Sequence, residues 1–454
     1  MASLTYIELL GGNRSFRRLW AGQVISELGN WFNFIAGLGL VRVASGADPH
    51  VTAIILMLRL APFALFAPLA GACVDRWSRR AVMIWTDLGR AVLACGFLLV
   101  GGPEDLWIAY LCTFLMTMLT AFFEAAKNAA MANIAGERGL LAGNALMFSS
   151  RFLLMSLGAA LGGWAAARFG YEAAFVINAV SFVVSAYTIW LLPEAETRAS
   201  VTGSGGPSEG TNAQTAAVGV WSRLWADIRE GYAYIVHHRL VASLIGLNIL
   251  WGIGGGALYL IYDHLGANYF AARVGIAPDE AAAWFYVASG MGLFAGMLFA
   301  RRIGDWAETR GRTAALIGWG LILHGVAFAL TGLAPTYALA LAAVFVSRVF
   351  GGVEFTVQDT LLMRSLPDAV RGRVLITDRA AELLVMGAFT ELWGWSLTLI
   401  TPHDLAVLSG LLSASPGVVW LVLFAAGKLS IPKLGAKRET AAAAADEPEL
   451  VSAG

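Results

Sequence analysis

The chain has 454 residues, of which 58% are hydrophobic and only 14% charged, and its mean hydropathy is +0.68. A soluble globular chain carries about 25% charged residues, so this much apolar surface needs lipid as part of its solvent. Disorder, a collagen-like repeat and a small disulfide scaffold are excluded. The formal net charge is zero, from 31 basic and 31 acidic residues, which leaves no basic excess for nucleic acid.

A spanning helix needs about 20 mostly apolar residues. Twelve such stretches follow along the chain, at 19–41, 51–72, 81–100, 106–126, 145–167, 172–192, 241–262, 283–300, 313–333, 336–353, 374–400 and 405–427. The first follows Arg14, Arg17 and Arg18 and is too long for a signal-peptide core. Six stretches precede a polar segment, 193–240, and six follow it. That segment begins as the linker "TGSGGPSEGTNAQT" and ends in a predicted amphipathic helix over 220–238, where Trp221, Leu224, Trp225, Ile228, Tyr232 and Ile235 recur at helical spacing. Such a helix lies on a membrane surface. The expected organisation is an N-terminal six-helix bundle (1–192), a cytoplasmic linker (193–240), a C-terminal six-helix bundle (241–427) and a cytoplasmic tail without fixed structure (428–454).

With both termini on one side, most Lys and Arg residues gather there. The opposite side holds only Arg42, Arg168 and Arg273, while Arg59, Arg90, Arg151 and Arg348 fall inside spans. The positive-inside rule makes the basic side cytoplasmic, the arrangement expected of a multi-pass protein of a bacterial inner membrane. The halves also echo each other. "GACVDRWSRR" joins spans two and three and "RRIGDWAETRGR" joins spans eight and nine, while "GAALGGW" in span five parallels "GAFTELW" in span eleven. Internal repeats of this kind are typical of secondary transporters.

Ionisable residues inside spans are costly and mark candidate function. Asp87 and Arg90, Glu124 and Lys127, and Arg379 and Glu382 are each three apart and can neutralise one another on one helix face. Glu27, Glu354 and Glu391 lack such a neighbour, as do Arg59, Arg151 and Arg348, which leaves them open to interhelical pairing or to a role in transport. Glu391 takes the slot that Gly162 holds in the first half. Cys73, Cys95 and Cys112 are odd in number and form no CxxC, so they read as free thiols. "GPSEG" at 206–210 sits in a polar linker without the strand and helix a hydrolase elbow requires. Gly290, Gly292 and Gly296 read as helix-packing residues. Gly427-Lys428 lacks the upstream glycine of a phosphate loop, and the adjacent His237 and His238 have poor metal-ligand spacing. No nucleotide, cofactor or metal is expected, and an enzymatic role is not.

Residues 71–80 read Gly-x-x-x-Asp-Arg-x-x-Arg-Arg. With Gly71, Asp75, Arg76, Arg79 and Arg80 in place, this resembles the signature loop of the major facilitator superfamily, with Ser78 where the pattern has a second Gly. The strings "LWAGQVISELGNW", "LRLAPFALFAPLAG", "AFVINAVSF", "LWADIREGY" and "LPDAVRGRV" resemble the branch of the enterobactin exporter and related drug exporters. The likeness spans roughly residues 15–427. Two departures stand out. Asn30, which cannot titrate, replaces an Asp common in the branch, and residues 158–163 lack the Pro of the exporters' Gly-Pro-x-x-Gly-Gly. The resemblance implies an all-α membrane protein of two six-helix bundles, working by alternating access on a small amphipathic molecule, with export driven by protons and Asp75 latching a state-dependent contact. The cavity is expected between spans one, four, seven and ten, with Glu27, Asn30, Asn33, Asn248, Trp251, Tyr259, Glu354 and Glu391 on the substrate or proton path. Uptake or lipid flipping by the same fold, and a non-transporting scaffold or sensor, are the alternatives.

Overall fold

The computed structural model describes residues 5–74, 77–197, 229–429 and 431. Among the described residues every regular element is helical. After a short helix, Tyr6–Gly12, the chain builds α1 (Arg14–Ala44), α2 (Pro49–Val74), α3 (Arg79–Leu99), α4 (Pro103–Gly136), α5 (Arg138–Phe169) and α6 (Tyr171–Trp190). The second half builds α7 (Arg239–Val274), α8 (Pro278–Thr309), α9 (Thr313–Leu333), α10 (Tyr337–Ser365), α11 (Asp368–Ser396) and α12 (Pro402–Ala425). Eleven of these are long and apolar enough to cross a membrane. The twelfth, α11, is diluted by Asp378, Arg379, Glu382 and Glu391. Of the expected surface helix at 220–238, residues 229–237 are helical and the rest lies outside the described residues, as do Asp75, Arg76 and the tail from 432.

Several helices outrun their apolar stretches. Where 283–300 and 336–353 were expected, α8 has 32 residues and α10 has 29. Backbone hydrogen bonding continues through Arg301, Arg302 and Asp305 in α8 and through Gln358, Asp359 and Arg364 in α10, because a helix needs its i→i−4 bonds more than an apolar surface. Helix α7 extends past 262 to Val274 and changes form on the way. It pauses after Gly255, resumes at Leu258–Asp263 and widens into a π-helical stretch, His264–Phe270, a geometry often associated with functional sites. Helices α4 and α5 meet at Gly136, whose φ of 66° turns the chain where a side chain would be strained.

Within the N-terminal half α1 packs on α4, α5 and α6, α2 on α4, and α3 on α4 and α6. The C-terminal half repeats much of the scheme, with α9 on α12, α8 on α10, and α7 on α11 and α12. The halves meet along two seams, α2 with α11 and α5 with α8. Small residues make those seams close: Gly163 faces Ala283, Gly394 faces Ala53, and Gly290 abuts Ser156 and the Phe152 carbonyl. Gly292 and Gly296 admit the α10 backbone at Phe345 and Val349, as expected for membrane helix packing. Large apolar side chains such as Trp85, Leu298 and Leu333 remain exposed on the outer surface, where lipid replaces water.

Candidate substrate cavity

Both chain halves begin at one end of the bundle, the basic end, and the seams lie toward the opposite, far end. Between the halves is a cavity of about 670 Å³, within the size range of small-molecule sites. It draws on α1, α4, α7 and α10 as expected, and also on α2, α3, α5 and α11. It reaches the basic end at Trp20 and Met363.

Glu27, Asn30, Asn248 and Tyr259 line this cavity; Asn33, Trp251, Glu354 and Glu391 do not. Asn33 is buried among the helices. Trp251 turns into the C-terminal half, where its indole N–H donates to His324 Nε2 at 3.2 Å. His324 Nδ1 lies 2.9 Å from the Ser347 carbonyl, so the neutral ring with its proton on Nδ1 satisfies both contacts. Glu354 is buried against Gly320 of α9, and its Oε1 has no partner among the described residues. Glu391 sits near the far end of α11, with His50 Nδ1 of α2 at 2.6 Å from its Oε1.

The charges on the walls divide by half. On the N-terminal wall, Lys127 pairs with Glu124 at 2.6 Å and Arg90 pairs with the buried Asp87. Arg59 and Arg151 make no ion pair or hydrogen bond with any described residue. Arg59 instead rests its Cζ 4.3 Å over the Phe34 ring, a cation–π contact. The field of the Glu27 carboxylate reaches both guanidiniums. On the C-terminal wall, Arg379 pairs with Glu382 at 2.7 Å. Gln358 Nε2 donates to Asn248 Oδ1 at 2.6 Å, and Asn248 Nδ2 donates to the Asp378 carboxylate at 3.0 and 3.2 Å. Asp359 completes that wall. The three local pairs follow the i,i+3 spacing read in the sequence. Gln358, Asp359 and Asp378 were missed, although Glu354–Gln358 and Asp378–Glu382 each repeat polarity one turn apart, the available signal. Arg348 proves to be an interior residue, donating from Nε to Tyr262 Oη at 3.3 Å.

Toward the far end the cavity closes on aromatic rings from both halves. Trp31 and Phe34 of α1 meet Tyr259 of α7 and Tyr286 of α8, with Tyr259 and Tyr286 stacked at 5.7 Å. Beyond this floor, Arg42 of α1 is clamped between Asp263 of α7 and Asp279 of α8, and all three are buried. Tyr171 Oη of α6 donates to Asp279 Oδ2 at 3.0 Å. Gly39 makes room, since a Cβ there would strike Asp279 and Tyr171. Arg42, counted from the sequence as a charge of the opposite side, is therefore part of a buried junction between halves.

In the signature loop, Arg79 Nη1 donates to the Ala129 carbonyl at 2.9 Å and Arg80 Nε to the Ile189 carbonyl at 3.4 Å, tying the start of α3 to α4 and α6. Ser78 caps α3, its Oγ accepting from Ala81 N at 3.3 Å, which gives the departure from Gly a structural use. Gly71 faces open space. Asp75 and Arg76 lie outside the described residues.

The family profile described as Major Facilitator Superfamily matches residues 19–377. The chain is 26% identical over 424 residues to the uncharacterized MFS-type transporter YfiS of Bacillus subtilis (strain 168), covering 89% of this chain and 94% of YfiS. It is 29% identical over 116 residues to macrolide efflux protein A of Streptococcus pyogenes, 25% of this chain and 28% of that protein. Its fold is similar to a crystal structure of a POT family transporter in complex with 5-aminolevulinic acid, with TM-score 0.71, 11% identity, and coverage of 90% of this chain and 96% of that one. With twelve long helices among the described residues, set in two halves around a central cavity, and a family match over most of its length, the chain belongs to the Major Facilitator Superfamily and is a membrane transporter rather than an enzyme.

Proposed function

We propose that the protein is a secondary active transporter that exports small amphipathic molecules from the cytoplasm by alternating access, coupled to protons, in a bacterial inner membrane. The observation that carries this reading is a cavity sealed at one end and reaching the other. With the basic end cytoplasmic, the described conformer faces inward, and the aromatic floor and the Arg42 cluster form its outer seal. Outward opening would break that seal and bring the basic ends together, where the loop of Gly71, Asp75, Arg76, Arg79 and Arg80 would act as the gate. The partial likeness to a macrolide efflux protein supports export over uptake.

Glu27 is the preferred proton carrier, because it faces the cavity together with two arginines, with buried Glu354 as a second relay. Glu391 is reassigned to the outer seam with His50. In proteoliposomes under an imposed pH gradient, Glu27→Gln is expected to bind substrate but lose pH-driven transport, while Glu391→Gln keeps it. Full pH-driven transport by both Glu27→Gln and Glu354→Gln would end the proton assignment. Lower accumulation of a transported solute in cells carrying the gene supports export, and higher accumulation reverses the direction. Cysteines placed at Ser204 and Glu104 should label from opposite sides in intact cells; equal labelling would refute the orientation.

A further inference from the structure

We propose that the cavity selects a zwitterionic solute of dipeptide size, its anionic group held by Arg59 and Arg151 of the N-terminal half and its cationic group by Asp359 and Asp378 of the C-terminal half. This inference rests on the transporter reading and adds the class of substrate.

Local pairing cancels some of the charges that face the cavity. Asp87–Arg90, Glu124–Lys127 and Arg379–Glu382 cancel within their own helices. The surplus is then two guanidiniums and the single carboxylate of Glu27 on one wall, and two carboxylates on the other. An unpaired charge in a low-dielectric site is costly unless water or a ligand compensates it. Arg59 is positioned by Phe34 through its ring face, which leaves its N–H donors without a protein acceptor among the described residues. A planar fork of donors in that state matches a carboxylate or similar anion. Arg151 adds a second guanidinium in the same cavity.

The opposite wall is arranged for a donor-rich cation. The relay from Gln358 through Asn248 fixes Asp378, and a single amide nitrogen serves both of its oxygens. A carboxylate accepts about four hydrogen bonds, so capacity remains, and an ammonium group brings three donors and no acceptor. Asp378 is 7% exposed, so a partner that reaches it is largely desolvated. A cationic amphipath would satisfy Asp378 but set positive charge against a wall on which two arginines outnumber Glu27. An anion would do the reverse to Asp359 and Asp378. A molecule with both charges neutralises both walls, and its apolar body would lie on Trp31, Phe34 and Tyr259.

The test is calorimetric titration of the full-length protein in detergent at pH 7 with four probes: alanyl-phenylalanine with free termini, its N-acetyl derivative, its amide, and the N-acetyl amide. The free dipeptide should bind at least tenfold more tightly than either singly blocked form. In Arg59→Gln the preference over the amide should vanish while the preference over the N-acetyl form persists. Asp378→Asn should show the reverse pattern, a crossover that a misfolded variant cannot produce. The proposal is overturned if the amide binds as tightly as the free dipeptide, if all four bind equally, or if none binds. Spin-label distances across both ends, measured separately, report alternation whatever the ranking, so transport can stand while the substrate class falls.

Discussion

The far end and the cavity both hold charges inside a membrane protein, yet they are paired differently. At the far end Arg42 joins Asp263 and Asp279 across the two halves, with Tyr171 completing the group. In the cavity every ion pair among the described residues joins residues of one helix, and Arg59, Arg151, Asp359 and Asp378 form no ion pair with a described residue. Pairs between halves hold a state closed, whereas pairs within a half are indifferent to their separation. In the proposed transport cycle the far end would therefore serve as a latch, and the cavity would offer its charges to a bound solute.

Removing the latch gives the largest expected effect. Breaking a buried ion pair from one side costs about 3–5 kcal/mol, and here the cost falls on the closed far end alone. Arg42→Met should move the equilibrium more than about a hundredfold toward the far-end-open state. Spin labels at the exposed Val43 and Leu399 would then sit farther apart. Neutralising the group in the triple variant with Asp263→Asn and Asp279→Asn should return most of the closed population. An unchanged distance distribution in Arg42→Met would mean that the seams alone hold this end.

The cavity should answer differently. Arg151 is exposed to the cavity and bonded to no described residue, so Arg151→Gln should change stability by less than about 0.5 kcal/mol. Transport of the cell's own substrate should fall at least tenfold, with normal thermal unfolding and an unshifted Val43–Leu399 distance. A clear loss of thermal stability would make Arg151 a structural residue and blur the contrast.

The smallest effect is expected at His50 and Glu391, which join the halves but are partly exposed. Exposed pairs contribute about 0–1 kcal/mol, so His50→Gln should shift the same spin-label populations by no more than about fivefold. A shift as large as that of Arg42→Met would promote this pair to a principal part of the latch.

The helical class and the helix positions were legible because lipid demands long apolar runs, and the runs carry their own signal residue by residue. The ends of α8 and α10 were not, since the hydropathy signal stops where charges begin while the hydrogen-bonded helix continues. In the cavity, Glu27, Asn30, Asn248 and Tyr259 were readable as polar or aromatic breaks in apolar spans. Glu391 showed the same break and serves the seam instead. Asp359 and Asp378 lie beyond or at the margin of their apolar stretches, where a charge looks like ordinary surface.

Sequence alone determined that this chain spans a membrane many times, in two echoing halves, with its positive charge gathered at one end. It also determined the local ion pairs, because i,i+3 neighbours meet wherever the helix goes. Only the tertiary structure decided which isolated charges face the cavity and which cross the seam. Arg42 and Asp263 are 221 positions apart, and Arg59 and Asp378 meet the same cavity from opposite halves. Helical periodicity orders the residues along one helix, but the rotation of each helix about its axis is set by the neighbours it packs against, and that rotation decides where each charge lies.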